Sequence, residues 1–444
     1  MDIRDLGYIY FVDGITKIKQ TNRNYEKWSS NSYILGFVNF FLRFLHSLLM
    51  NGKKFVNIPK GYNGCLFFGV SINNKRSLIP IINNLDKKDV SVDILSVKSY
   101  PDWKLYYYAL PHLFNLIREI KLASHKERLI IKAKFPIFWR MYGNERLVND
   151  MIKKYNPKVI VLSNDHNDLP RSINAIAKKR GIKTIYIQHA SIGKNFPPLS
   201  FSYSFLDGKE TYEKYCLNAR IEGNIYLSGG VRFDSVIPHN KNKTEIRTIG
   251  VALNILDDQN IVKELVSFLV SKSNEYNRLE ICLRPHPTLN LSRWKKWCKE
   301  KGVLFSSPKE ESSFMFLSKI DILISNESAI HLDAAMSRVR SIIYNMSNSP
   351  FNDVYGYREN NLAPFFCNLN DVYHYIIDRT DISNNEITKY YNSSFGTSYE
   401  RNLASVLAYM IHCILTGKEA DFNRKYGFKP ILSSADLNVF TITE

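Results

Sequence analysis

The sequence predicts an α/β protein built as two doubly wound, Rossmann-like domains that face each other across a central cleft. Three observations carry this. Short apolar runs alternate with helical patterns, once before residue 238 and again from 248 to 344, as parallel strands joined by helical crossovers require. A polar stretch, His239-Asn240-Lys241-Asn242-Lys243-Thr244, separates the two series as a linker would. Polar clusters follow directly on several of the strand-like runs, at the carboxyl ends where open α/β sheets hold ligands. The expected division is a first domain over 1–238, a second over 239–398, and a helix and tail over 399–444 that pack back on the first domain.

Taken in order, residues 33–50 form a helix. Ile34, Phe37, Val38, Phe41, Leu42, Leu45, Leu48 and Leu49 recur at helical spacing on one face, and Asn39, Arg43, His46 and Ser47 interrupt the other. The run is too short and too polar to span a bilayer. It either packs on the first domain or, with Lys53 and Lys54 behind it, lies in a membrane interface. Residues 64–70 are a buried strand, 71–76 a polar loop, 77–85 a short helix and 90–97 a second strand. Residues 105–120 and 128–154 are helical, with a break near Pro136. The strand 158–162 ends in Ser163-Asn164-Asp165-His166-Asn167-Asp168. Helix 170–180 stops at Gly181, as helix ends prefer. Strand 183–187 ends in Gln188-His189-Ala190, and short strands follow near Tyr203 and Ile225. Beyond the linker come strand 248–253, helix 258–270, strand 279–283, helix 292–301, strands 303–305 and 320–324, helix 331–337 and strand 341–344. A late helix, 399–416, has a good apolar face.

Composition narrows the function. The chain has 444 residues, 45% hydrophobic and 23% charged, enough for two or three ordinary globular domains. Its formal charge of +18 and pI near 9.4 call for an anionic partner. The cations are spread along the chain with no nucleic-acid motif, which favours an anionic membrane surface or a charged donor over nucleic acid. The six cysteines form no Cys-x-x-Cys pair, and Met1-Asp2-Ile3-Arg4-Asp5 lacks the form of a signal peptide. The expected location is the cytoplasm, peripheral at the inner face of the membrane.

Two strand ends carry the densest chemistry. Leu279–Leu283 runs into Arg284-Pro285-His286-Pro287, where prolines on both sides restrict the histidine backbone. Ile320–Ile324 runs into Ser325-Asn326-Glu327-Ser328, a small polar cluster at a helix start that suits a phosphate. Ser and Asn are equally the residues of an ordinary helix cap. Glu327 is better placed for a ribose or acceptor hydroxyl than for a phosphate. A transfer reaction also needs a base near neutral pH, and His189 and Asp165, both at strand ends of the first domain, are candidates. Lys194 and Pro197-Pro198 mark an acceptor-side loop.

With Ile185-Tyr186-Ile187-Gln188-His189-Ala190, Arg284-Pro285-His286-Pro287 and Ser325-Asn326-Glu327-Ser328 in this order, the chain resembles GT-B glycosyltransferases of bacterial capsule and lipopolysaccharide synthesis over roughly residues 155–345. The sialyltransferases and Kdo transferases share the His-Pro motif and serine loop, and the CDP-glycerol transferases share a strand-end histidine. Ala190 stands where the last group has glycine, and Leu206-Asp207-Gly208 is the nearest echo of the sialyltransferase acidic motif, making Asp207 a third base candidate. The resemblance implies a CMP-activated acidic sugar as donor, a glycan or lipid-linked glycan as acceptor, and no metal or other cofactor. It places Arg284, His286, Pro287, Ser325, Asn326, Glu327 and Ser328 around the donor nucleotide and phosphate. Alternatives on the same fold are a polyol-phosphate transferase using CDP-glycerol and a UDP-N-acetylhexosamine epimerase. A non-catalytic partner of capsule assembly is a reading of another class.

Overall fold

The computed structural model describes residues 2–11, 32–50, 64–69, 71–85, 93–96, 103–193, 196–218, 220–238, 246–273, 279–378 and 385–442. The expected linker 239–244 and the residues Lys53, Lys54 and Lys194 lie outside them.

Among the described residues, fourteen strands form two sheets. The first contains β1 (Cys65–Gly69), β2 (Asp93–Ser96), β3 (Val159–Leu162), β4 (Lys183–Ile187), β5 (Tyr203–Leu206) and β6 (Gly223–Leu227), then β13 (Phe428–Ser433) and β14 (Leu437–Ile442). Its order is β13-β14-β6-β5-β4-β3-β1-β2, parallel throughout except for the antiparallel β13–β14 pair. The second contains β7 (Thr248–Ala252), β8 (Glu280–Arg284), β9 (Leu304–Phe305), β10 (Ile322–Ser325), β11 (Arg340–Tyr344) and β12 (Phe365–Phe366), in the parallel order β12-β11-β10-β7-β8-β9. That is the Rossmann order, with its switch point between β7 and β10; the first sheet switches between β1 and β3.

Strand pleating divides the residues. Phe67 and Val161 join one buried cluster while Phe68 and Leu162 join the other, so the first sheet is covered on both faces. One cover contains the late helix Leu403–Thr416, which packs with β1, β3 and β4 residues. The other contains helices Phe135–Tyr155 and Asp168–Lys179. A further helical layer holds Tyr33–Leu49, Trp103–Ala109 and Leu113–Leu122 around Trp139, whose Nε1–H donates to Ala109 O at 2.8 Å. Trp103–Ala109 and Phe135–Tyr155 touch backbone to backbone because Gly143 has no Cβ; a Cβ there would lie 1.9 Å from Leu105 O.

Among the boundaries that differ from the sequence expectation, two have a visible cause. The polar stretch 71–76 is not a loop but the first turns of helix Ile72–Asn83, because Ser71 and Asn74 form a reciprocal capping box. The late helix starts at Leu403, where Asp234, 169 residues earlier, caps it: its carboxylate accepts from Leu403 N–H at 2.9 Å and Ala404 N–H at 2.7 Å.

That cap joins the two places where the chain passes between lobes. Val231 belongs to a first-sheet cluster, and Phe233 and Val236 to a second-sheet cluster. On the return, Tyr391 and Phe395 belong to the second and Tyr399 to the first. The crossings also meet where Gly230 N–H donates to Asn392 Oδ1 at 2.7 Å. No helix among the described residues is long and apolar enough to cross a membrane.

Candidate functional site

At the first switch point, β3 leads into a tight turn. Asn164 Oδ1 accepts from the backbone N–H groups of His166 (3.3 Å) and Asn167 (3.0 Å), and Asn74 Nδ2–H holds Ser163 O at 2.9 Å. Asp165 is fully buried. It receives the Tyr215 hydroxyl and lies 3.2 Å from His166 Nδ1. Burial opposes its charge, but the hydrogen bonds from His166 and Tyr215 and the nearby His189 hold its carboxyl below the usual range. An ionised Asp165 fixes the proton on His166 Nδ1 and leaves Nε2 as the lone-pair nitrogen, which faces the Asn164 amide at 3.4 Å. The His166 side chain keeps 26% of its surface exposed.

His189 stacks on His166, with ring centroids 6.2 Å apart. Burial pulls its pKa down to about 4, against the attraction of Asp165, so it is neutral at pH 7. Its Nδ1 is a buried polar atom with no partner. Of the expected bases, Asp165 thus sits behind the His166 ring and orients it, and the buried His189 titrates near 4, while His166, its Nε2 met only at long range by Asn164, is the partly exposed ring of the three. Read for metal-ligand spacing, Asp165-His166-Asn167-Asp168 carries nothing; the informative signal is a histidine directly after a strand-end aspartate.

Asp207, the third candidate, is 1% exposed. Its Oδ2 lies 2.6 Å from Arg232 Nη1, its N–H donates to Gln188 Oε1 at 2.7 Å, and its carbonyl accepts from Ser393 N–H at 2.7 Å. Burial raises its pKa to about 6, with Arg232 opposing. Its carboxylate is thus enclosed at the interlobe crossings and paired with Arg232.

The strand ends of the two lobes meet just beyond these residues. On helix Lys209–Asn218, Lys214 pairs with Glu210 and donates to Ile192 O (3.0 Å) in the loop after β4 and to Tyr355 O (3.1 Å) in the loop after β11. Ser191 Oγ and Tyr357 OH lie 3.3 Å apart, and Tyr355 N–H donates to Glu327 Oε1 at 3.0 Å. Burial pushes both Glu210 and Glu327 up to about 7.

At the second switch point the expected phosphate residues separate into two groups. Ser325 turns inward and donates to Ala252 O at 2.8 Å, tying β10 to β7. Asn326 Nδ2–H donates to Asp257 Oδ1 at 2.8 Å, and Asn326 O accepts from the buried His331 ring at 3.0 Å. Arg284 braces the following loop through Ser306 Oγ (2.8 Å) and Glu311 O (3.0 Å). Each of these three side chains is engaged within the protein, and Glu327 accepts from Tyr355 N–H. Ser328 meets only a long contact, 3.5 Å from Ile330 N–H. His286 is half-buried, bonded to Thr288 Oγ1 at 2.7 Å in its own turn, and Pro287 is exposed. His286 and Ser328 remain available to a ligand.

Parallel lobes of Rossmann type, joined by a double crossing and meeting at their strand ends, define the GT-B class of architecture. No family model matches the sequence, and no curated protein does. Among solved structures the chain is similar to a UDP-GlcNAc 2-epimerase from Methanocaldococcus jannaschii (12% identity, TM-score 0.46, 79% of this chain and 99% of that one). It is also similar to MurG from Acinetobacter baumannii (8%, 0.47, 79% and 99%) and to the wall teichoic acid polymerase TagF (12%, 0.44, 87% and 99%). At such identities and scores these likenesses do not identify a reaction.

Proposed function

We propose that the protein is a nucleotide-sugar-dependent glycosyltransferase, with the acceptor hydroxyl at the first switch point and the donor phosphate at the second. The observation that carries this is the Asp165–His166 pair at the end of β3, in a lobe whose strand ends meet those of the second lobe. His166 Nε2 takes the proton of the acceptor hydroxyl as its oxygen bonds to the donor's anomeric carbon. The carbon–oxygen bond to phosphate breaks, and the electron pair leaves on the nucleotide. Ser328 and His286 are the side chains free to meet that developing charge. Asp165, buried and ionised, stabilises the imidazolium.

We further propose a CMP-activated acidic sugar as the donor and a surface glycan or lipid-linked glycan as the acceptor, at the inner face of the cytoplasmic membrane. The cationic excess supports an anionic donor. The test is a thermal-shift series with CMP, CDP, UDP and GDP, followed by transfer assays. Selective stabilisation by cytidine nucleotides is expected, whereas selective stabilisation by UDP would favour the epimerase. His166→Gln should lower kcat by roughly 10²–10⁴-fold with nucleotide stabilisation retained. Full activity in that variant would remove His166 from the reaction.

A further inference from the structure

The helix Tyr33–Leu49 is apolar on two opposite sides. Its inner side fits the helical layer: Phe40 stacks on Trp139 with centroids 3.8 Å apart and meets Tyr106 edge-on at 5.2 Å, and Gly36 lies against Phe135. Packing onto one lobe needs only that side. The outer side carries Ile34, Leu35, Val38, Leu42, Leu45 and Leu49, which at about 100° per residue fall within an arc of about 100°. All six are exposed, Ile34 to 78% and Leu49 to 83%. The adjoining helix His125–Ala133 adds Leu129, also exposed. Soluble surfaces rarely gather apolar residues on this scale without a partner.

The surrounding charge selects the partner. Tyr33 OH donates to Arg128 O at 3.4 Å, which sets the start of the stripe against helix His125–Ala133. Arg128 in turn clamps the preceding turn through Ala123 O and Lys121 O, both at 2.8 Å. Lys121, His125, Lys126 and Arg128 are all exposed there. A second copy of this chain would bring the same cations against these. A bilayer bearing anionic headgroups takes both the apolar stripe and the cations.

We propose that this face docks the protein on an anionic membrane, with Tyr33–Leu49 lying in the interface plane, its outer residues among the acyl chains and the 121–128 turn at the headgroups. The inference does not depend on the reaction assigned above, because it is tested without donor or acceptor. The full chain is floated with phosphatidylcholine vesicles, with and without a phosphatidylglycerol fraction. Flotation with the anionic vesicles is expected, weakening as salt is raised. Leu42→Glu/Leu45→Glu, at positions already in water, should reduce vesicle binding by about tenfold or more with an unchanged melting curve. Lys121→Glu/Lys126→Glu should abolish the preference for anionic vesicles. Wild-type protein that stays with neither vesicle, equal flotation of the Leu42/Leu45 variant, or a wild-type dimer in light scattering that this variant splits would each overturn the proposal.

Discussion

Asp234→Ala tests how the lobes are held together. The Asp234 carboxylate receives two backbone N–H groups, from Leu403 and Ala404, at the start of the fourteen-residue helix Leu403–Thr416. These are orphan donors of a first helical turn, and without a partner they are left in a half-buried place. Losing such a cap costs about 1–2 kcal/mol. Losing the favourable charge at the helix start adds about 0.5 kcal/mol. We therefore expect Asp234→Ala to lower stability in urea by about 2 kcal/mol. Asp234→Asn retains one acceptor but turns an amide toward the second donor, so it should lose about half as much. The assay is urea denaturation, paired with hydrogen exchange on peptides spanning 402–407. Exchange should quicken at Leu403 and Ala404 in the alanine variant and leave β7 to β10 unchanged. A stability loss below about 0.3 kcal/mol, with exchange unaltered, would show that these N–H groups find other partners and would refute the role assigned to the cap.

Gly143→Ala should destabilise by about 3 kcal/mol or more, since its methyl would lie 1.9 Å from Leu105 O and force two helices apart; urea midpoints measure it. Lys214→Met strands Glu210 without its buried partner and should cost about 3–5 kcal/mol, with part recovered in the Lys214→Met/Glu210→Gln double variant. Burial raises Asp257 to about 6, above its ordinary value of 3.8. Its contribution is thus fully present below the unfolded value and lost as pH rises through about 6. The stability difference between wild type and Asp257→Asn should therefore fall by roughly 3 kcal/mol across that window; a flat difference would contradict the burial of this carboxyl.

Most of the parallel strands are legible because they are short, apolar runs set between helical patterns, whereas the two-residue β12 is too short to carry such a pattern. Their polar ends were readable too, as chemistry at strand termini. Side-chain direction was not. Whether Ser325 points to a ligand or to Ala252 O depends on the neighbouring strand, which lies 73 residues earlier in the chain. Lys214 meets Tyr355 across 141 residues, so no local pattern marks it. Asp165 and His189 mark the locality in the sequence, but which side chain there stays exposed depends on packing, and His166 emerges only from the folded geometry. The pair β13–β14 escaped notice for a plainer reason: most residues of β13 are exposed, so the strand shows no inward alternation.

That terminal hairpin has a consequence for biosynthesis. β14 lies alongside β6, and the second lobe is inserted between them in the chain. A nascent protein therefore completes its second lobe while the first still lacks an edge and one of its covers. Until residues 403–442 emerge, β6 offers an unpaired margin and the apolar surface beneath the late helix stays open to water. Shortened chains ending near residue 400 should thus aggregate rather than yield a free-standing first lobe, and the second lobe should reach its native form earlier during synthesis.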